Sequence, residues 1–255
     1  MEKYYEIYTK NGTIRGIIHI PSKVVWKYPI VMFHGYFSAN RIGPARLYLL
    51  IARKLVTMGF CIARFDCLGV GESDGDFSKV TFYSELRDYI TILNYVTKLL
   101  KTQKTIIIAH SMGANLAIYV SKKLQQKVQG LILISPDIEK RGGINHLFTK
   151  KQLNEIRTKG ITVRKGLYIS ASFINRIRNK SDLFDVASGL KCPVFIIQGK
   201  RDELYSSSGA KQLAKIIRAR LIWIKSGDHN FLNEISRNEL ISKIKKIIKK
   251  LNVKL

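Results

Sequence analysis

Apolar positions along the chain fall into two alternating rhythms. YPIVMFHG, FCIARFD, TIIIAH, VQGLILISP, CPVFIIQG and ARLIWIKSG are short, rich in β-branched residues and apolar at nearly every position, the pattern of strands covered on both faces. Between them lie RIGPARLYLLIARKLVTMG, TFYSELRDYITILNYVTKLLK, MGANLAIYVSKKL and SSSGAKQLAKII, whose apolar residues recur at helical spacing and can lay a stripe on a sheet. Repetition of strand and crossover helix predicts an α/β architecture with a mostly parallel, doubly wound sheet. The start, KYYEIYTKNGTIRGIIHIPSK, alternates instead, with the turn-forming pair Asn11-Gly12 at its centre, and predicts an antiparallel hairpin at the sheet edge.

One stretch interrupts the alternation. After LILISPD, residues 138–190 bring glycines, basic residues and aromatics in place of one clean crossover helix. Connections of that length are usually functional or form a small subdomain. The expectation is a cap inserted over the strand ends, where open α/β sheets place their sites, with residues 1–137 and 191–255 as the core. Phe148, Tyr168, Phe173 and Phe184 either line a pocket or form the cap's own small core, and the latter is the default for most of them.

Composition adds limits. Hydrophobic residues at 46% and charged residues at 24% fit a soluble globular chain, and no apolar run approaches the length of a bilayer span. The start, MEKYYEIYTKNG, lacks the basic-then-apolar layout of a secretory signal, so a cytoplasmic location is expected. Cys61, Cys67 and Cys192, odd in number and irregular in spacing, suit reduced thiols better than a disulfide framework or a zinc site.

The formal net charge of +26 raises attraction to nucleic acid, anionic lipid or acidic substrates. Residues 138–190 are scarcely denser in positive charge than the whole chain. The concentration lies in the tail from Ile241 to Leu255, which carries six lysines and no acid while Ile244, Ile247, Ile248 and Leu251 keep one apolar helical face. A last helix packed on the sheet with its lysines in water gives this pattern, and a weak contact with an anionic surface is the alternative. Nothing matches a nucleic-acid-binding motif, so no specific nucleic-acid partner is expected.

The candidate chemistry starts at TIIIAHSMGANL. A serine at a tight strand-to-helix turn sits in strained backbone, and the residues two before and two after it must be small. Ala109 and Gly113 meet this around Ser111. Such a turn presents the Ser111 hydroxyl above the sheet and aims the Met112 N–H where a carbonyl oxygen would gain charge. An ordinary helix N-cap serine needs no chemistry and fits the pentapeptide equally well.

A serine nucleophile needs a base, and the base an orienting acid. Asp202 follows the strand-like run CPVFIIQG by three residues, and His229 follows ARLIWIKSG, so both fall at strand ends. The second oxyanion donor is expected in VMFHGYFSANRIG, where Gly35 allows close backbone approach and Tyr36 supplies the N–H. His34 is assigned a structural role in shaping that loop. His110, which adjoins the nucleophile with its side chain diverging, is assigned to core packing. His19 and His146 have no supporting neighbours in the sequence. Gly69, Gly71 and Gly75 in CLGVGESDGDF miss the dinucleotide spacing and lack the phosphate-loop Lys-Ser/Thr pair, so they serve backbone turning. Asp66, Asp74 and Asp76 read as solvated turn carboxylates rather than a metal site.

These features together resemble an α/β-hydrolase of the serine esterase and lipase type, closest in pattern to the capped group with feruloyl (cinnamoyl) esterases and monoacylglycerol lipases. FHGYFSANR matches the oxyanion loop, ARFDCLGVGESDGDF the glycine-rich turn, AHSMGA the nucleophile elbow, GKRDEL the acid and GDHNF the base. The chain departs at Ala109 and Ala114, where the group often has glycine. The resemblance implies an α/β-hydrolase fold with a cap, a Ser111, Asp202, His229 triad, and Tyr36 and Met112 amides as the oxyanion hole. It implies cleavage of a small-molecule carboxylic ester with no cofactor and no metal. A thioesterase or acyltransferase on the same fold, a peptidase, and a non-catalytic basic module binding anionic lipid or nucleic acid are the alternatives.

Overall fold

Strands β1 (Glu2–Thr9) and β2 (Gly12–His19) pair antiparallel across the Asn11-Gly12 turn, with Thr9 opposite Gly12. The computed structural model describes residues 1–35, 40–138, 147–164, 166–172 and 183–252. Beyond the hairpin come β3 (Ile30–Phe33), α1 (Leu47–Val56), β4 (Ile62–Phe65), α2 (Phe82–Leu99), β5 (Thr105–His110), α3 (Met112–Lys123) and β6 (Val128–Ile134). After β6 come α4 (Lys150–Lys159), β7 (Ile161–Arg164), β8 (Leu167–Ser170), α5 (Leu183–Ser188), β9 (Val194–Gly199), α6 (Ser207–Ile216), β10 (Arg220–Ile224) and α7 (Glu234–Leu251).

Among the described residues, eight strands form one sheet in the order β1-β2-β4-β3-β5-β6-β9-β10. From β4 to β10 every neighbouring pair is parallel, and β2 meets β4 antiparallel. The predicted hairpin therefore does close one edge of a sheet that is otherwise parallel.

The unbroken apolar runs have a physical cause in two-sided burial. On β3, β5 and β6, Val31, Phe33, Ile107, Ala109, Leu131 and Leu133 pack with α2 and α3, while their alternates pack with α1 and α7. With helices on both faces, neither side of a central strand has room for a polar residue. Helix ends are set by local chemistry: Thr81 and Ser84 exchange the two bonds of a capping box at the start of α2, and Asn233 accepts the Ile235 and Ser236 N–H groups at the start of α7.

Helix α7 settles the tail's apolar face. Leu240, Ile244, Ile247, Ile248 and Leu251 are consumed by the core against Met32, Ile51 and Ile132, leaving Lys246, Lys249 and Lys250 exposed. No helix among the described residues is long and apolar enough to cross a membrane.

The segment between β6 and β9 is not uniform. Helix α4 and the β7-β8 hairpin share a small cluster of Phe148, Ile156 and Ile169, with Phe77, Leu147, Leu153 and Leu167 against it. Helix α5 belongs elsewhere: Leu183 and Ala187 are members of the main core, and Phe184 packs against that core. Of the three aromatics among the described residues for which a place in the cap's own core was the default, Phe148 is in the small cluster. Tyr168 is 59% exposed, and Phe173 lies outside the described residues.

Candidate active site

Ser111 follows the last residue of β5 and precedes the first of α3, and its backbone is at φ 56°, ψ −124°, a left-handed geometry that is costly for any residue with a side chain. It occupies the N-cap position, yet its hydroxyl makes no cap hydrogen bond. The hydroxyl turns to His229 instead, with Oγ 3.0 Å from Nε2. That observation removes the plain N-cap reading. The main chain of the turn is fixed by Ser111 N–H donating to the Ile134 carbonyl and by the Ser111 carbonyl accepting from Ala114 N–H.

Gly113 is indispensable to this turn. A Cβ there would lie 2.3 Å from the His34 carbonyl oxygen and 2.9 Å from that of Phe33, both main-chain atoms of the neighbouring strand end. Ala109 and Ala114, the two departures from the family pattern, are buried in the main core with their methyls accommodated. Gly113→Ala is therefore expected to lower activity at least about 10²-fold and to destabilise the fold by roughly 1–3 kcal/mol, because overpacking here moves backbone. Thermal melting and ester turnover of that variant check it, and near-normal values in both would disprove the close contact.

Asp202 and His229, the expected acid and base, arrive from the ends of the last two parallel strands. His229 Nδ1 lies 2.9 Å from Asp202 Oδ2. A carboxylate oxygen accepts only, so Nδ1 carries the hydrogen, and Nε2 is the ring nitrogen that faces the Ser111 hydroxyl. Asp202 is 3% exposed and accepts four hydrogen bonds: from His229 Nδ1 and Gln198 Nε2 at one oxygen, and from the Leu204 and Tyr205 N–H groups at the other. Burial opposes its charge, but the His229 bond and these main-chain donors outweigh it and hold the carboxyl below its usual range. Ser111 and His229, each 8% exposed, keep a narrow opening to the outside.

Gly35 borders Ser111. A Cβ on it would be 3.1 Å from Ser111 Cβ and 3.7 Å from Oγ, so a side chain there would press on Ser111, and glycine eases the passage of the loop after β3 beside the hydroxyl. Tyr36, the expected second oxyanion donor, lies outside the described residues, as does His146. Met112 is the first residue of α3, where an N–H has no intrahelical acceptor.

The remaining histidines separate cleanly. His34 Nδ1 donates to the Gly35 carbonyl at 3.0 Å and Nε2 accepts the Cys67 N–H at 3.3 Å, a single consistent tautomer that ties β3 to the loop after β4. This is the structural role assigned from sequence. His110 does more than the packing assigned to it. Its Nε2 donates to the His229 carbonyl at 2.9 Å, its Nδ1 accepts from the Tyr48 hydroxyl at 2.8 Å, and that hydroxyl accepts the Gly35 N–H at 3.3 Å. A buried chain thus joins the loop beside Ser111 to the loop bearing His229. Burial first, and then the neighbouring His229, push the His110 pKa down to about 3, which keeps the ring neutral and this polarity fixed. His19 is also buried and does have a partner, accepting from Arg64 Nε at 3.0 Å.

The glycine-rich turn carries one correction. Asp66 is a fully buried carboxylate, not a solvated one: it pairs with Arg41 and accepts the Glu72 N–H. Asp74 pairs with Arg15, and Asp76 caps a short turn by accepting the Ser78 N–H. The three carboxylates serve three separate partners. Among the described residues, His34, Cys67 and Glu85 do bring potential ligand atoms within 4.8 Å of one another. Burial holds the Cys67 thiol and the Glu85 carboxyl well above their ordinary pKa ranges, which favours their protonated forms.

Comparison with known proteins places this geometry in context. The family model described as serine aminopeptidase, S33 matches residues 27–165. Palmitoyl-protein thioesterase ABHD10, mitochondrial, of Mus musculus is 26% identical over 206 residues, covering 77% of this chain and 68% of that protein. The ferulic acid complex of Est1E from Butyrivibrio proteoclasticus superposes with a TM-score of 0.83 at 16% identity, over 97% of this chain and 98% of that one. Alpha/beta hydrolase domain-containing protein 10 from mouse gives 0.75 at 22% identity, over 98% and 99% of the two chains. The fold is that of the α/β-hydrolases.

Proposed function

We propose a reaction for this chain, which belongs to the serine aminopeptidase S33 family of hydrolases: cleavage of a carboxylic ester through an acyl-enzyme on Ser111. The observation that carries the proposal is the hydrogen-bond chain Asp202–His229–Ser111, at 2.9 and 3.0 Å. Ser111 attacks the ester carbonyl as His229 Nε2 takes its proton, and Asp202 keeps the imidazole in the tautomer that can accept it. The Met112 and Tyr36 amides meet the charge developing on the carbonyl oxygen. His229 then protonates the departing alcohol, and a water activated by the same imidazole releases the acid.

Residues 138–190, apart from α5, are proposed to act as the cap that shapes the acyl pocket. Support comes from the position of the segment after β6, beside the strand end that carries the nucleophile, and from the separate apolar cluster of α4 and the β7-β8 hairpin.

A second reading, an acyl thioester as substrate, is favoured by the curated relatives, all four of them named palmitoyl-protein thioesterase. The two bonds demand the same acyl-enzyme and differ in the leaving group. Parallel assays of p-nitrophenyl esters of increasing acyl length and of the matching acyl thioesters separate them, run at low and high salt because a basic surface would favour an anionic carrier. Higher kcat/KM on oxyesters is the expected result. Higher values on thioesters would transfer the assignment to the second reading, and turnover only of aminoacyl anilides would reject both.

A further inference from the structure

Parallel strands give the two ends of this molecule different chemistry. Ser111, Asp202 and His229 follow strand ends at one edge of the sheet, and the helices run back so that their C-termini and the loops entering the next strands gather at the other. Contacts across that opposite end tie the loops together: the Val25 N–H donates to the Gly59 carbonyl, the Ile106 N–H to that of Pro29, and the Tyr28 N–H to Asn252 Oδ1. The net charge of +26 is concentrated there. Segments 98–104, 122–127, 215–220 and 246–250, in which α2, α3, α6 and α7 run out, each carry three Lys or Arg and no Asp or Glu. Exposed Lys23 and Lys27 before β3 and Lys191 before β9 add to them.

Acids collect at the Ser111 end instead: Asp66, Glu72, Asp74 and Asp76 follow β4, and Asp228 follows β10. Of the described acids, Glu2 opens β1 at the basic end, where it pairs with Arg53, and Asp185 lies four positions before Gly189. Among the described residues, no basic side chain in the four segments has an ion-pair partner. Helix dipoles draw lysine to a last turn, which covers Lys98, Lys123, Lys215 and Lys249. They give no reason for Lys101, Lys104, Lys127, Arg218 or Arg220, which lie beyond the helices. Like charges gathered on one face repel, a cost to the free protein that an anionic partner relieves.

We propose that this basic end is a docking face for an anionic lipid bilayer, which holds the protein with its Ser111 end turned to the water. The six parallel strands make the face about 25 Å wide, enough to spread its charge over many headgroups. Lysine, a point charge, predominates on it over arginine, whose fork suits the phosphates and base edges of a nucleic acid. Bases are also held by stacking on exposed aromatic rings, and the loops 20–29, 57–61, 100–104, 124–127 and 217–219 expose none. The large apolar side chains exposed there are aliphatic, Val24 and Leu99. Between α1 and α7, Met58 with Lys245, Lys246 and Lys249 lines a recess of about 290 Å³, where apolar surface and ammonium groups meet as they do in a headgroup layer. The six residues of β5 separate the face from Ser111 by about 20 Å, so substrate reaches the docked protein from the aqueous side.

Sedimentation of the full chain with vesicles of phosphatidylcholine and phosphatidylserine, about 3:1, tests this. Binding at low salt is expected, at least about tenfold weaker on phosphatidylcholine alone, and lost as salt shortens the reach of the charges. Lys98→Ala, Lys123→Ala, Lys215→Ala and Lys249→Ala combined remove one exposed lysine from each of four helix ends. At roughly fivefold per lysine, that variant should bind about 10²-fold or more weakly. Lys150→Ala, Lys151→Ala, Arg157→Ala and Lys159→Ala, on α4 in the insertion after β6, remove the same charge and should cost less than about tenfold. Thermal melts check that both variants are folded. Wild-type protein that ignores the mixed vesicles at low salt, or equal weakening in the two variants, would overturn the proposal. So would a duplex oligonucleotide that binds the wild type more tightly than the vesicles do and depends on the same four lysines. None of these readouts requires activity at Ser111.

Discussion

Replacing Ser111 with alanine is expected to lower turnover by roughly 10³- to 10⁶-fold and leave the protein folded. In the proposed reaction the hydroxyl supplies the attacking oxygen, and none of the neighbouring His34, His110 and Cys67 side chains can substitute for it. His34 and His110 are spent on structural bonds, and burial raises the Cys67 thiol well above its ordinary pKa. The fold should survive because the Ser111 main-chain bonds to Ile134 and Ala114 do not involve the side chain. The left-handed backbone strain is the same for alanine as for serine. Steady-state hydrolysis with a thermal melt of the same preparation reads both halves. A correctly folded variant with undiminished hydrolysis would remove Ser111 from the mechanism.

Asp202→Asn is expected to cost up to about 10⁴-fold in kcat, although it changes one atom and almost no volume. The carboxylate accepts at all four of its bonds. An asparagine can keep its oxygen toward the Leu204 and Tyr205 N–H groups only by turning its NH₂ toward two donors, Gln198 Nε2 and His229 Nδ1. The cheapest escape is for the imidazole to move its hydrogen to Nε2. It then donates toward Ser111 and can no longer accept that proton. Nitrogen-15 resonances of the His229 ring report the tautomer, and kcat reports the loss. A large loss with the hydrogen still on Nδ1 would mean that Asp202 acts by charge alone.

The sheet was legible because its chemistry is local and repeated. Two-sided burial leaves a central strand apolar at nearly every position, and the runs that become β3, β5 and β6 carry that mark. Ser111, Asp202 and His229 were legible for a related reason: a parallel sheet gathers its strand ends at one edge, so residue types that work together need only follow different strands.

What escaped depends on pairing between distant positions. Tyr48 and His110 are 62 residues apart, and a tyrosine in an amphipathic helix or a histidine at a strand end signals nothing by itself. Asp66 sits in a loop so rich in glycine and acid that solvation is the natural reading, and only the approach of Arg41 from before α1 reveals its burial. Helix α5 spans six residues, too short to display a helical period, so its membership in the main core could not be separated from the insertion around it.

The central claim, that Ser111 is an activated nucleophile, is tested most directly by exposing the protein to a fluorophosphonate and mapping the adduct by peptide mass spectrometry. A single adduct on the peptide bearing Ser111, lost in Ser111→Ala and strongly slowed in Asp202→Asn, is expected. An unmodified chain, or modification centred on another serine such as Ser135, would contradict it.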